Sequence, residues 1–421
     1  MPAKNSYYEA TARRGAPLPS PKGDVRADVC VIGAGYTGLM AALELAERGL
    51  RVVVLDSDRI GAAASGRNGG QLGSGQRRAQ SWIENTYGAS IAASLWMMAE
   101  QAKAIAKSRI ARHNIACDFK PGVLHVAHRP ALFDELRSEA EDLAGKYGYP
   151  HAQVLSKAEV DASLGTQIYF GGVLDMDAGH LHPLNYALGL ADAAHAAGAA
   201  FHEMTPVQAV DFDLGVVQTD TAAIRAEHIL VACNGYLGGL IPEIAPQIMP
   251  INNYIAATPP LGAMARTLIR DDVAVADTRF VINYYRLSAD GRLLFGGGES
   301  YSPILPSDIE TIVRPRLARV FPELASTPFD YAWGGTLAIT LNRMPHLGRI
   351  GRCGYFAQGY SGHGVAIAGM AGKLMADAIG GTAECFDVMA RLGIPPFPGG
   401  THLRQPLRVL AMLYGKLRDA F

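Results

Sequence analysis

The sequence predicts an α/β fold, and three observations predict it. A short apolar strand runs straight into a glycine-rich turn and a helix near the N-terminus. A second glycine-rich turn feeds a helix far downstream. Between them lies a hairpin-like stretch with period-two patterning. The composition suits such a fold. Of 421 residues, 49% are hydrophobic and 18% charged, which is enough apolar material for a sizeable core. Lys plus Arg total 38 and Asp plus Glu 39. A net charge of −1 gives no global field for nucleic acid or an anionic membrane.

The first element is the strand from Asp28, followed by G-x-G-x-x-G at Gly33, Gly35 and Gly38. Residues 39–48 are strong helix formers, and Gly49 supplies the C-cap. A second strand, 51–56, closes a Rossmann-type βαβ unit. Gly33 permits the tight turn, Gly35 a close backbone approach to a pyrophosphate, and Gly38 close packing of helix on strand. The helix N-terminus favours negative phosphates. Asp56 ends the second strand, where a carboxylate can accept hydrogen bonds from ribose hydroxyls.

A third βα unit does not follow directly. Residues 59–73 instead form a loop rich in Gly, Ala, Ser and Asn, suited to wrapping a pyrophosphate and donating to a ring. Residues 205–210 and 226–232 read as strands, the latter ending in a small polar turn at Asn234 and Gly235. The strand 354–358 enters the turn Gly359-Tyr-Ser-Gly-His-Gly364 and then a small-residue helix to about Ile379. A hydrolase elbow, G-x-S-x-G, fails there because His363 stands at the final glycine position. Residues 280–287 and 292–295 flank Ser-Ala-Asp-Gly as a hairpin, and 89–113 and 131–147 read as helices.

The five cysteines are isolated and odd in number, and His180, His182, His125 and His128 lack a ligand set, so no metal is expected. The N-terminus lacks a signal-like apolar core, and no apolar run is long enough to span a bilayer. The expected location is cytoplasmic. Residues 406–421 place Leu407, Leu410, Tyr414, Leu417 and Phe421 at helical spacing, as in a docked terminal helix.

These motifs resemble the D-amino-acid oxidase superfamily of FAD-dependent amine and amino-acid oxidoreductases. The blocks Ser6–Tyr8, Arg59–Gln71, Gly179–Asn185, Tyr284–Gly298, Gly359–Val365 and Pro396–Gly400 are similar to its gamma-glutamylputrescine oxidoreductase branch. The resemblance implies a GR2-like FAD-binding domain from 1–87, 151–240 and 340–395. Interleaved with it is an antiparallel-sheet α+β substrate domain from 88–150 and 241–339, with 396–421 as a helical tail. It implies that FAD lies along Gly33, Gly35, Tyr36, Thr37 and Gly38, with its adenine end near Asp56, Ser57 and Val207. The pyrophosphate also meets Ser65, Gly66 and Arg67. The flavin ring sits between Asn68, Gly69, Gly70, Gln71 and Leu72 on one side and Gly362, His363, Gly364 and Val365 on the other, with Asn234, Gly235, Gly359, Tyr360 and Ser361 in support.

For the substrate, the expected contacts are Tyr284, Tyr285, Trp333 and Arg343, with Tyr254 and His363 behind them. Strand alternation forbids Tyr284 and Tyr285 from both facing the flavin. The implied partners are a small amine and O2 or another electron acceptor, in a chain that can form a homo-oligomer. The sarcosine oxidase branch carries a substrate-binding lysine where this chain has Ala366, which disfavours a carboxylate beside the reacting carbon. The attachment cysteine of that branch is missing from 336–347, so the FAD is expected to be non-covalent. Leu293 and Leu294 stand near the place of the relatives' oxygen-activating lysine.

Overall fold

The structure is a computed structural model that describes residues 6–300 and 305–400. Two sheets organise the chain. The first runs His346–Ile350, Gly354–Gln358, Ala222–Val231, Gly23–Ile32, Val52–Leu55, Ala200–His202. Its neighbours are parallel from Gly354–Gln358 onward, and His346–Ile350 joins antiparallel at one edge. The hairpin of Val207–Asp211 and Val216–Thr219 attaches antiparallel to Ala222–Val231. The parallel strands are buried where they are central: all four residues of Val52–Leu55 and the last four of Gly23–Ile32 are buried. That two-sided burial explains their continuous apolar runs.

Helices Tyr36–Glu47, Gly364–Ile379, Ala89–Arg112 and Pro183–Ala196 cover one face and share the larger core. Small residues set the spacing of the first two. A Cβ on Gly372 would stand 2.1 Å from the carbonyl oxygen of Thr37. The opposite face is closed by Leu237, Ile241, Ile244 and Ile248.

The second sheet runs Tyr331–Ile339, Met249–Ala257, Leu293–Ser300, Tyr284–Leu287, Ala274–Asp277, Lys120–Val126, Gly171–His180, Gln71–Leu72, with Ala152–Ser156 also on Gly171–His180. Pairing is antiparallel except where Ala274–Asp277 runs parallel to Lys120–Val126. Its own core lies against the helix Glu310–Val320. The expected hairpin around Ser288–Gly291 and the two helices at 89 and 131 are present, the helices as Ala89–Arg112 and Pro130–Tyr147.

One expectation is corrected. The nucleotide unit is expected to include all of 151–240, but Ala152–Ser156 and Gly171–His180 pair in the second sheet. Gln71–Leu72, from the first glycine-rich loop, joins that sheet too. The chain therefore crosses between the sheets more often than composition reveals. The expected terminal helix beyond residue 400 lies outside the described residues.

Candidate active site

Three backbone turns converge where the two sheets meet. The first is the glycine turn after Gly23–Ile32. Gly33 has φ +109°, and a Cβ on Gly38 would lie 1.9 Å from the Gly33 carbonyl oxygen. Gly35 supplies no side-chain cap to the helix that starts at Tyr36; from the next loop, the Ser65 hydroxyl accepts from Tyr36 N at 3.0 Å. Such an end suits a phosphate. Asp56 holds the turn from the far side, accepting from Ala34 N at 2.6 Å and Asp58 N at 2.9 Å. Burial raises the pKa of its carboxyl to about 6, against the opposing pull of those two amides. Each carboxylate oxygen keeps a lone pair for a hydroxyl. Thr205 N donates to the Asp56 carbonyl at 2.7 Å, so the start of Val207–Asp211 lies beside it. Ser57 is exposed at this end.

The second turn is 61–72. The Asn68 amide donates to the carbonyls of Ala64 and Ser65 and accepts from Gly70 N at 2.7 Å, so it shapes the loop. Arg67 is engaged by the carbonyls of Ala62 and Gly334. Gly66 packs on Gly61 and Leu184, and Gln71 Nε2 reaches Val275 O at 3.0 Å, while Leu72 is buried.

The third turn, 359–364, opens the helix Gly364–Ile379 with no side-chain cap. Asn234 Oδ1 accepts from Gly359 N at 2.9 Å, and Gly235 packs against Leu337 and Ala338. Thr37 and Tyr360 share a 2.6 Å hydroxyl contact that ties the two helix starts together. Ser361 sits at φ +53°, donating to Gly359 O and accepting from Thr340 N, so its hydroxyl belongs to the turn. His363 Nε2 is buried without a hydrogen-bond partner. Burial, then Arg77 and His125, lower the pKa of this imidazole to about 4, which keeps it neutral at ordinary pH. Val365 is buried on the helix.

The residues expected on the substrate side divide. Tyr284 and Arg286 point one way from their strand and Tyr285 the other, as alternation requires. A Cβ on Gly69 would meet the Tyr284 ring at 2.8 Å, and the Tyr284 hydroxyl donates to Asn253 Oδ1. Tyr285 does not join the site. It stacks on Phe295 at 5.5 Å and meets Phe321 edge-on in the second core. Tyr254 is fully buried in that core as well, its hydroxyl on Ser300 Oγ at 2.6 Å. Trp333 is buried and donates to Arg67 O at 3.1 Å, supporting the loop from behind. Arg343 sits on the loop after Tyr331–Ile339 at φ +66°. Of these six residues, Tyr284, His363, Arg343 and Trp333 lie at the three turns, Trp333 by its bond to Arg67 O, while Tyr285 and Tyr254 belong to the second core.

Sequence reasoning misses two arginines. Arg286 is buried and donates to Gly69 O at 2.8 Å, Leu287 O at 3.1 Å and Tyr8 OH at 3.1 Å. Its sequence signal is a lone cation in the otherwise uncharged run Tyr284–Leu287. Arg77 donates to Ser361 O at 3.2 Å. Its signal is an Arg-Arg pair placed directly after the glycine-rich loop. The histidines near this region are structural: His182 caps Pro183–Ala196 by accepting from Asn185 N, and His180 Nε2 meets Asp272 O at 2.7 Å.

The glycine cradle, the two uncapped helix starts and Asp56 fit a flavin dinucleotide. A family profile described as "FAD dependent oxidoreductase" matches residues 28–378. The chain belongs to this FAD-dependent oxidoreductase family. It is similar to the gamma-glutamylputrescine oxidoreductase of Escherichia coli (strain K12), 41% identical over 99% of this chain and 98% of that one. It is 40% identical to a probable oxidoreductase OrdL of Rhizobium meliloti (strain 1021), over 99% of this chain and 97% of that one. In fold it resembles glycine oxidase from Geobacillus kaustophilus, with a TM-score of 0.71 and 23% identity over 85% of this chain and 95% of that one. L-Proline dehydrogenase from P. horikoshii gives 0.69 and 22%, over 86% and 94%. This family member uses FAD as its cofactor. Among the described residues no helix is long and apolar enough to cross a membrane.

Proposed function

We propose that this FAD-dependent oxidoreductase oxidises the C–N bond of gamma-glutamylputrescine or a related gamma-glutamylated or aliphatic amine. The observation that carries the reading is the 41% identity to gamma-glutamylputrescine oxidoreductase across nearly the full length of both chains. When bound, FAD would supply a two-electron acceptor for a hydride from the carbon next to the amine, the imine would hydrolyse to an aldehyde plus ammonia or a shorter amine, and O2 would take the two electrons to give H2O2. The turns around Gly33 and Gly362, with Asp56, are the residues that would hold it.

This chain's residues supply position and dryness. The Asn68–Leu72 loop and the Gly359–Gly364 turn flank the space for the ring. Tyr284 contributes a ring edge and a fixed hydroxyl beside it. His363 stays neutral and adds no charge there. The uncapped start of Gly364–Ile379 favours negative charge nearby.

Two observations support details of the reading. Ala366 is buried in the helix core, so that position supplies no cation for a carboxylate next to the reacting carbon. Two thiols are held protonated: burial pushes the Cys233 pKa up to about 12, and Cys353 Sγ, at the end of Gly354–Gln358 away from the glycine turn, donates to Phe212 O at 2.9 Å. A protonated thiol is a poor nucleophile, which supports non-covalent FAD.

The test is a peroxide assay of purified holoenzyme across putrescine, gamma-glutamylputrescine, sarcosine, glycine and D-alanine. Peroxide from gamma-glutamylputrescine, well above the rest, is expected. Flavin bleaching without peroxide in air would leave a dehydrogenase in place of an oxidase. Turnover confined to sarcosine, glycine or D-alanine would overturn the substrate class. Acid precipitation should release the yellow colour into the supernatant.

A further inference from the structure

We propose that Arg77 and Arg343 form an anion subsite that receives a carboxylate at the far end of the amine substrate. The inference rests on the amine-oxidation reading and adds the group that selects the substrate.

The two arginines come from separate loops that meet at the third glycine turn. Arg77 Nε donates to Ser361 O at 3.2 Å, which places its guanidinium against the turn that carries Gly362 and His363. Arg78 Nε donates to Asn342 O at 3.0 Å, so the 77–78 segment lies on the loop that carries Arg343. That loop is fixed in turn: Thr340 N donates to Ser361 Oγ, and Thr340 Oγ1 donates to Met344 O at 2.7 Å. The turn is open at Gly362. Gly362 has φ +88°, and a Cβ built there would meet no heavy atom within 4 Å.

Neither guanidinium is neutralised. Among the described residues, no carboxylate forms an ion pair with Arg77 or Arg343, while the chain pairs Arg48, Arg51, Arg59, Arg109 and Arg292 with acids elsewhere. The two also repel. Burial, then Arg343, then Arg78, lower the affinity of Arg77 for its proton, and Glu299 opposes this more weakly. An arginine stays charged under such pressure. The repulsion is therefore stored until an anion enters. His363 presents a buried Nε2 with no partner beside the same segment. A guanidinium fork matches a carboxylate in two parallel hydrogen bonds.

The location decides the class of substrate. The helix Gly364–Ile379 opens with Gly364, Val365 and Ala366, none of them charged. The cations lie on neighbouring loops instead. The first turn of that helix therefore supplies no cation for a carboxylate on the reacting carbon. An amine with its carboxylate on a chain extending away is matched, and a gamma-glutamyl amide is such a molecule.

The test uses full-length holoenzyme and two amides that lack the free amine of the diamine portion. One is gamma-glutamylbutylamine; the other is 4-aminobutanoyl-butylamine, the same chain without the carboxylate. Calorimetric titration of the wild type should show the carboxylated amide binding roughly 10- to 100-fold more tightly. Arg77→Gln and Arg343→Gln should each remove most of that preference, and Arg77→Lys should restore part of it. Equal binding of the two amides by the wild type would overturn the subsite. So would variants that weaken both amides alike, the result expected if these arginines only clamp the turn. If either variant loses its FAD, the other carries the test. A wild type that shows the preference yet does not oxidise gamma-glutamylputrescine would keep the subsite and sink the amine reading, so the two failures are distinguishable.

Discussion

The side of the site proposed for the nucleotide is made of backbone, and the side proposed for the substrate is made of side chains. Around Gly33, Gly38 and Gly359 the architecture depends on where a Cβ is missing and on helix ends left uncapped. Around Tyr284, Arg286, Arg77 and Arg343 it depends on which face a strand presents and which loops touch. The two regions should therefore break in different ways. The first should fail sterically, with loss of the cofactor. The second should fail chemically, with the fold and the cofactor retained.

The largest effect is expected at Gly38. A valine there would drive Cβ into the Gly33 carbonyl, 1.9 Å away, and into Val31. Overpacking of this kind costs about 1–3 kcal/mol or more. Gly38→Val should purify with little or no flavin colour, read as absorbance per protein. Full FAD occupancy would contradict a backbone-made nucleotide site.

A smaller effect tests Asp56, a side chain on the backbone-made side. Its carboxyl binds a proton more readily folded, with a pKa of about 6, than at the ordinary 3.8. The folded apoprotein therefore holds more protons than the unfolded chain between those values, and stability falls as pH rises through that window. Asp56→Asn removes this loss. The variant apoprotein should gain on the wild type from pH ~4 to ~6 by up to roughly 3 kcal/mol and level off above, as urea unfolding would measure. It should also bind FAD more weakly at every pH. A stability difference that does not change across the window would show that Asp56 is not desolvated as described.

The smallest effect separates the tyrosine pair. Tyr284→Phe removes the hydroxyl that donates to Asn253 and should lower kcat/KM about tenfold, ~1.4 kcal/mol, with normal FAD content. Tyr285→Phe removes a 3.4 Å contact to Tyr169 inside the second core. It should shift thermal stability slightly and leave kcat/KM within about twofold. The reverse ranking would mean that the strand faces are assigned wrongly.

Much of the backbone-made half was legible in the sequence. Glycine spacing, a strand before it, a helix after it and Asp56 at the next strand's end all lie in the one stretch from Asp28 to Asp56. The side-chain half was only partly legible. Alternation announced that Tyr284 and Tyr285 face opposite ways, but nothing local said which faces the site. Trp333 read as a substrate contact with Tyr254 behind it, yet Tyr254 fills the second core and Trp333 braces Arg67. Arg77 gave only the weak signal of a doubled arginine, because its role depends on loops far downstream around Arg343 and Ser361.

By itself the sequence determined the nucleotide turn, the hairpin at Ser288–Gly291 and the helices at 89 and 131. These are local, and each is dictated by a few φ angles and a hydrophobic period within one segment. Tertiary structure decided which sheet received Gly171–His180, which tyrosine packs on the glycine-rich loop at Gly69 and which loops Arg77 and Arg78 touch. Those outcomes depend on contacts between segments far apart in the chain. A side chain's neighbours across such a distance are set by sheet order and register, and neither is written in local spacing.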